Sequence, residues 1–326
     1  MIISKTPFRV SLAGGGTDLP AYYQRGWGAV TTLAICKYMY VTLNRKFDDR
    51  IRVSYSQTEV VDSLEELQHD LVRECLRYVG ICSGVEITTV ADVPSRGTGL
   101  GSSSALTVGL LNALHAFKGE YRSSRELAEE ACEVEIGRLG KPIGKQDQYI
   151  AAFGGVQYFR FLADETVLDD PIIMDGSRTK LLEERLVLYY AGGARRAEDI
   201  LSHQNARTGV NIESLERLRE LATHVRDCLA SSASDLDALG GLLEEGWRNK
   251  RSLAPGIATD EIDMYYRKGL AAGAGGGKLL GAGGGGFLLL YVRPERRDGV
   301  REALAPLREL PLQIARQGSK IIYLGQ

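Results

Sequence analysis

The stretch Pro94-Ser-Arg96-Gly97-Thr-Gly99-Leu100-Gly101-Ser102-Ser103-Ser104-Ala105 limits what this chain can fold into more than any other. A β-branched run, residues 85–90, precedes it, and an apolar-faced segment through Phe117 follows it. The order reads as strand, glycine loop, helix. Such glycines permit positive φ and let backbone N–H groups approach a ligand closely. The loop opens a helix, where free N–H groups and the positive end of the dipole point at one spot, so the pattern describes an anion site. The serine run adds hydroxyl donors and an oxygen for a metal ion. A capped helix after a flexible loop would also account for the glycines alone; the proline and the serines favour phosphate binding. The stretch is not a Walker A loop, because Ser102-Ser103 follows Gly101 where that motif has Lys-Ser or Lys-Thr. Gly277-Lys278 is nearer in form, but Leu279 stands at the hydroxyl position, so a P-loop fold is disfavoured.

Two further glycine clusters flank this one. Near the start, Arg9 lies on a strand, Gly14-Gly15-Gly16 form a turn, and Thr17-Asp18 follow. A carboxylate after a tight turn can accept hydrogen bonds from ligand hydroxyls, although it can equally cap the next helix. Near the end, Lys278-Leu-Leu-Gly281-Ala-Gly283-Gly284-Gly285-Gly286-Phe287 contains a formal G-x-G-x-x-G. It feeds a strand, residues 287–292, rather than opening a helix, which argues against a dinucleotide fold. Two carboxylates add to the picture. Glu135 follows a capping box, Ser123 to Glu126, with Ala128 and Ala131 on its helical face. There it is partly buried and needs a partner, a metal or a salt bridge. Asp147, in Gly144-Lys145-Gln146-Asp147-Gln148-Tyr149, suits a general base for a hydroxyl or a helix start, with Lys145 close enough to influence it.

Bulk properties bound the rest. A chain of 326 residues favours two domains. The first part mixes strands (residues 2–5, 8–13, 38–44, 51–55, 85–90, 155–161) with helices at 64–79, 101–117 and 123–139. The second is helix-rich over 196–272, with strands at 186–191, 287–292, 312–315 and 320–324. This is an α+β pattern with a boundary near 175–180, giving domains 1–177 and 178–326. A net charge of −2 without a basic stripe argues against nucleic acid. No apolar run approaches a membrane span, and the first ten residues lack the apolar core of a signal peptide. Five cysteines without a C-x-x-C pair fit a reducing compartment, so the expected location is cytoplasmic. The four histidines are scattered, against a zinc site.

Taken together and in order, the segments from Pro7 to Asp18, Pro94 to Ala105 and Lys278 to Phe287 resemble the three motifs of the GHMP kinase family. Within it, Gly14-Gly-Gly-Thr-Asp18-Leu-Pro20-x-Tyr22-Tyr23, Gly192-Gly-Ala-Arg195-Arg196-Ala197, Trp247-x-x-Lys250 and Gly277-Lys278-Leu279-x-Gly281 are most similar to the heptose 7-phosphate kinases. Gly15-Gly16 replace the Glu-His pair of the galactokinase- and mevalonate-kinase-like members. The resemblance implies a ribosomal-S5-like N-terminal domain and a ferredoxin-like C-terminal domain, with ATP and a sugar phosphate in the cleft between them. It implies that Pro94, Arg96, Gly97, Gly99, Leu100, Gly101, Ser102, Ser103 and Ser104 bind ATP. Ser103 and Glu135 would hold Mg2+. Asp147 would act as base or orient the sugar hydroxyl, with Arg9 stabilising the transferred group. Gly15, Gly16, Thr17, Asp18, Asp147, Gly283, Gly284 and Gly285 would meet the sugar. From their own placement, Arg195 and Arg196 after the Gly192-Gly193 turn and Lys250 on one face with Trp247 are the candidates to meet the substrate's phosphate, although adjacent arginines at a helix start are often solvated. A related sugar such as fucose, or a non-sugar substrate, is the alternative within the family. A sugar- and ATP-binding sensor without catalysis is the alternative outside enzymes.

Overall fold

Where the sequence predicts two strands broken at Pro7, the computed structural model has one, β1 (Ile2–Ala13). The model describes residues 1–94, 97–192 and 197–325. Pro7 falls where the pairing register shifts, and past the last β12 pair at Lys5, so its missing N–H interrupts a ladder that is already irregular. There follow α1 (Pro20–Tyr23), β2 (Trp27–Arg45), β3 (Ile51–Ser54), β4 (Thr58–Val61), α2 (Asp70–Val79) and β5 (Val85–Ala91). Next come α3 (Ser102–Phe117), α4 (Ser124–Cys132), α5 (Gln146–Phe153), β6 (Val156–Leu162) and β7 (Val167–Pro171). The expected capping box at Ser123 and Glu126 is present and opens α4.

The second half contains α6 (Gly176–Arg185), β8 (Leu186–Tyr190), α7 (Ala197–Ala206), α8 (Ile212–Ala230), α9 (Ala238–Arg251) and α10 (Asp260–Ala271). It ends with β9 (Gly276–Leu279), β10 (Phe287–Tyr291), α11 (Arg297–Ala303), β11 (Arg308–Pro311) and β12 (Lys320–Leu324). Its four strands order as β11-β8-β10-β9, all antiparallel. With helices between β8 and β9 and between β10 and β11, this is a ferredoxin-like βαββαβ unit. The larger sheet orders as β12-β1-β2-β5-β3-β4, with β6 paired to the first half of β2 and β7 to β6. Thus the last strand of the chain returns to pair with the first. No helix of the described residues is long and apolar enough to cross a membrane.

Strand alternation explains how the two sheets share a core. On β8 and β10, Leu186, Leu188, Leu289 and Tyr291 join the buried cluster that runs through β1, β2, α3 and α5. Their neighbours Val187, Tyr189, Leu288 and Leu290 face a second cluster with Trp247, Ile262 and Val300. Residues Phe8 to Ala13 of β1 are all buried, and α3, α5, α8 and α9 pack on that strand. β1 is therefore the shared wall of both halves. α3 is buried nearly all round, as expected of a helix inside a core rather than on its surface.

Close approach of α3 to β1 depends on Gly109. A Cβ there would stand 2.6 Å from Thr6 Oγ1, and Ser4 Oγ donates to the Gly109 carbonyl at 2.7 Å. We predict that Gly109→Leu overpacks this contact and lowers stability by about 1–3 kcal/mol. Urea unfolding checks it; an unchanged midpoint and slope would show that helix and strand separate freely.

Candidate active site

Arg9 leaves β1 into the gap between the two halves and is almost wholly buried. Its Nε and Nη2 donate to Asp147 Oδ1 and Oδ2, each at 2.7 Å, a bidentate charge-assisted pair. Nη1 donates to the Gly99 carbonyl, and the Arg9 backbone N–H donates to Leu100 O at 3.1 Å. One residue thus ties the first glycine segment, the second and Asp147 in the first turn of α5. Lys145, near Asp147 in sequence, does not partner it; its Nζ donates to Glu165.

The glycine loop reaches α3 through Gly101, whose φ is +74°. A Cβ at Gly101 would lie 3.1 Å from Asp147 Oδ2 and 3.2 Å from Arg9 Cγ. No side chain caps α3. Its first internal bond runs from Ala105 N–H to Gly101 O. The N–H groups of Ser102, Ser103 and Ser104 therefore have no acceptor among the described residues, which leaves an anion site at the cleft. Pro94 stands exposed at the loop entrance, and Leu100 is buried with its backbone on the cleft. Gly97, Gly99, Ser102, Ser103 and Ser104 line the same cleft. Arg96, Arg195 and Arg196 lie outside the described residues.

The third glycine segment presses on the second. A Cβ at Gly99 would lie 2.5 Å from Leu280 O, one at Gly281 would lie 2.5 Å from Gly99 Cα, and Phe287 N–H donates to Thr98 O at 3.0 Å. Gly281 and Ala282 reach the cleft wall. Gly283 and Gly284 turn instead to Ile257, where Gly284 N–H donates to the Ile257 carbonyl at 2.9 Å, and Gly285 leads back to the strand. This end of the segment, which the sequence places against the sugar, packs on the backbone at Ile257.

Asp18 does not cap α1. Its Oδ1 accepts from Gly16 N–H at 2.9 Å and its Oδ2 from Gln146 N–H at 3.3 Å. Burial pushes this carboxyl up, the Gly16 bond pulls it back, and the neighbouring Asp147 charge pushes it up again. Gly144 is required behind it, since a Cβ there would fall 2.0 Å from Asp18 Oδ2. Gly15 and Gly16 line the cleft, but Thr17 does not. The fully buried Thr17 hydroxyl lies 2.9 Å from Gly14 O and 2.8 Å from Ala29 O, so it holds the turn rather than a ligand.

Glu135 is fully buried on a π-helical segment, Glu133–Arg138, that continues α4. Such a bulge shifts the helical register by one residue, which is a frequent feature of functional sites. Ser103 Oγ donates to its Oε1 and Gln148 Nε2 to its Oε2, both at 2.8 Å. Burial holds its pKa above the usual carboxylate range, while nearby Lys141 and the hydroxyl and amide donors offset part of that. No group of three or more His, Cys, Asp or Glu side chains among the described residues is placed to hold a metal. A magnesium ion at Ser103 and Glu135 would take its other oxygens from phosphate and water, which is how that ion is commonly held.

Two lysines complete the site from the second half. Lys250, on α9 and buried, donates to Gly281 O; burial and the Arg9 charge hold its pKa down at about 8, against partial support from Asp18 and Asp147. Lys278, on β9, donates to Leu12 O at 3.2 Å, and burial with the Lys250 and Arg9 charges holds it well below the ordinary lysine range. Sequence reasoning missed Ser11, Thr98, Lys141, Gly144, Gln146, Gln148, Gln204 and Lys278 as parts of this site. Gly144, Gln146 and Gln148 sit beside Asp147 in sequence and were accessible on that signal; Gln204, on an ordinary amphipathic helix, had none.

The raised pKa of Glu135 gives a stability prediction. In the window from its unfolded value up to the raised folded value, the folded state binds more protons, so stability falls as pH rises. Gln148 Oε1 has no partner among the described residues, so its amide can flip to accept from a glutamine at position 135. Glu135→Gln is therefore expected to melt higher than wild type at pH 7.5, with the gain vanishing toward pH 4. A lower melting temperature at pH 7.5 would contradict this account of Glu135.

Residues 66–155 match the model of the GHMP kinases N terminal domain, and residues 225–307 that of the GHMP kinases C terminal. The chain is similar to the D-glycero-alpha-D-manno-heptose 7-phosphate kinase of Campylobacter jejuni, 31% identical over 93% of each chain. It is similar also to the L-fucokinase/L-fucose-1-P guanylyltransferase of Bacteroides fragilis, 25% identical over 86% of this chain and 34% of that one. Among solved structures, the D-glycero-D-manno-heptose 1-phosphate kinase from Bacteroides thetaiotaomicron superposes with a TM-score of 0.83 at 27% identity, with both chains fully covered.

Proposed function

The chain belongs to the GHMP kinase family, whose sugar-kinase members transfer a phosphoryl group to a hydroxyl, and from that premise we infer that it is a cytoplasmic kinase of heptose 7-phosphate. The reaction would move the γ-phosphoryl of ATP to the anomeric C1 hydroxyl of D-glycero-D-manno-heptose 7-phosphate and give the 1,7-bisphosphate. The product would feed nucleotide-activated heptose and cell-surface glycan synthesis. The observation that carries the reading is the Arg9–Asp147 pair, held at the uncapped start of α3 and beside the buried Asp18. A phosphate-binding helix end, a cation and carboxylates for hydroxyls meet in one cleft.

Each residue then has a task. The N–H groups of Ser102, Ser103 and Ser104 would bind phosphate oxygens. Ser103 and Glu135 would hold Mg2+, which when bound neutralises charge on the phosphates. Arg9 uses three of its five N–H groups within the protein, leaving two for the transferred group. Asp147 would orient the acceptor hydroxyl. With both its oxygens bonded to a guanidinium it is a positioning group first, which suits a loose phosphoryl transfer. Asp18 would accept from sugar hydroxyls, and Lys250 would face the substrate's own phosphate.

Two relatives favour a second reading of the acceptor. One is named for heptose 1-phosphate rather than 7-phosphate, and another for fucose. Phosphorus NMR of the products formed with MgATP from heptose 7-phosphate, heptose 1-phosphate and L-fucose decides among them. The expected result is a new anomeric phosphate on heptose 7-phosphate alone; transfer only to one of the others would replace the assignment. Asp147→Asn should lose about 10²-fold or more in turnover with little change in ATP affinity. Near-normal turnover in a folded variant would remove Asp147 from the reaction.

Lys250 makes the reading testable by pH. Its ammonium is charged below about 8 and neutral above, so a phosphate-binding role is lost as pH rises through that value. The kcat/KM for heptose 7-phosphate, which reports the free enzyme, should fall across that range in wild type and should be low and flat there in Lys250→Met. An identical fall in both proteins would place the titrating group elsewhere.

A further inference from the structure

Three polar atoms in the cleft have no partner among the described residues: Ser11 Oγ, Gln146 Oε1 and Gln204 Nε2. Ser11 is 5% exposed and Gln204 2%, and all three residues line the cleft beside Asp18. Buried polar groups are nearly always bonded, so unbonded ones lining a cleft point to a ligand. They converge on space left by two missing side chains. A Cβ at Gly15 would stand 3.6 Å from Ser11 Oγ, 3.7 Å from Lys250 Nζ and 3.8 Å from Gln146 Nε2. A Cβ at Gly16, where φ is +104°, would stand 2.4 Å from Gln204 Nε2. The Gln204 amide therefore occupies the place that a side chain at position 16 would take.

Resting on the sugar-kinase reading, we propose that Ser11 and Gln204 form a specificity-determining subsite for hydroxyls on the side of the sugar away from the phosphorylated one, with Gln146 at its edge. Ser11 lies two residues along β1 from Arg9 and so on the same face, about 7 Å away. That backbone spacing sets Ser11 apart from the residue that meets the transferred group. A hydroxyl both donates and accepts, so it satisfies a serine oxygen and an amide nitrogen alike. A bare phosphate, which offers acceptors alone, can take a hydrogen bond from Ser11 but leaves the Gln146 oxygen without a donor. Gly16 and Gln204 form a matched pair: besides the positive φ that favours glycine there, a side chain at 16 would displace the Gln204 amide.

The test uses Ser11→Ala, Gln204→Leu, Gly16→Ala and the Gly16→Ala/Gln204→Leu double variant of the full chain. Calorimetry gives Kd for heptose 7-phosphate, L-fucose and D-mannose, and for analogues of the tightest binder that each lack one hydroxyl. Steady-state kinetics give KM and kcat in parallel. Ser11→Ala and Gln204→Leu should each weaken binding of the intact sugar about 3- to 10-fold, the effect of one lost hydrogen bond. Each should leave the affinity of one deoxy analogue unchanged, with KM rising more than kcat falls. Melting temperatures should hold or rise, because neither group has a protein partner to lose. Gly16→Ala should weaken sugar binding in wild type and weaken it less in the Gln204→Leu background, where only the backbone strain at position 16 is left. Unchanged Kd in both single variants overturns the subsite, as does equal weakening for every deoxy analogue. A melting temperature lowered by several degrees in both also overturns it, by revealing structural partners. A wild type that binds a sugar through these residues but transfers no phosphoryl group sinks the kinase reading and leaves the subsite standing. A wild type that binds none of the three sugars sinks the subsite.

Discussion

The Arg9–Asp147 ion pair is the interaction on which the rest of the cleft depends. The arginine side chain is 7% exposed and the aspartate 21%, so neither charge is freely hydrated. Removing one partner from such a pair costs about 3–5 kcal/mol, because the other charge is left buried and alone. The same guanidinium also reaches the Gly99 carbonyl, and the Arg9 backbone reaches Leu100. Strand, glycine loop and α5 are therefore set relative to one another by a single residue. The fold does not merely hold the pair; the pair fixes where the uncapped end of α3 points.

Around that pair the geometry is made by absent side chains. Gly99 and Gly281 meet backbone to backbone, Gly101 sits against the ion pair, and Gly144 backs onto Asp18. The contacts at Gly99, Gly281 and Gly144 are tighter than any Cβ tolerates, that at Gly101 leaves room only if its neighbours give way, and Gly99, Gly101 and Gly281 also have positive φ. Glycine in these segments is costly in chain entropy and is kept for close approach. It brings loops from both halves within hydrogen-bonding range, as in the bond from Phe287 N–H to Thr98 O. Thr17 does the complementary task by using its hydroxyl to lock the first turn against β2.

The sequence carried the local elements and the chemistry-bearing residues, because capping, glycine turns and strand–loop–helix order are local signals. The helix over Ser102–Phe117 and the capping box at Ser123 are of this kind. What could not be read locally was partner choice. Lys145 is near Asp147 in sequence, yet the partner is Arg9, 138 residues away. β2 was read only over its second half, because residues 28–35 are buried on both faces and show no alternation. β9, Gly276–Leu279, gave no strand signal, since its glycines are there to pass α9 and β10 closely. The buried polar atoms of Ser11 and Gln204 become meaningful only when two distant elements share one cleft.

The signs of the perturbed groups show how the two halves are joined. Asp18 and Glu135, from the first half, are pushed up by burial; Lys250 and Lys278, from the second, are pushed down by it. Every one of these shifts means that the free protein disfavours the charge it carries at the cleft. Such charges are partly compensated across the gap: Lys250 by Asp18 and Asp147, with its ammonium donating to Gly281 O, and Lys278 by the Leu12 carbonyl. A cation beside Glu135 and an anion beside Lys250 would each relieve a penalty that burial imposes. The site is thus poor in self-sufficient pairs and rich in groups whose best partner is a ligand, which is the arrangement expected where binding energy must come from electrostatics fixed before the ligand arrives.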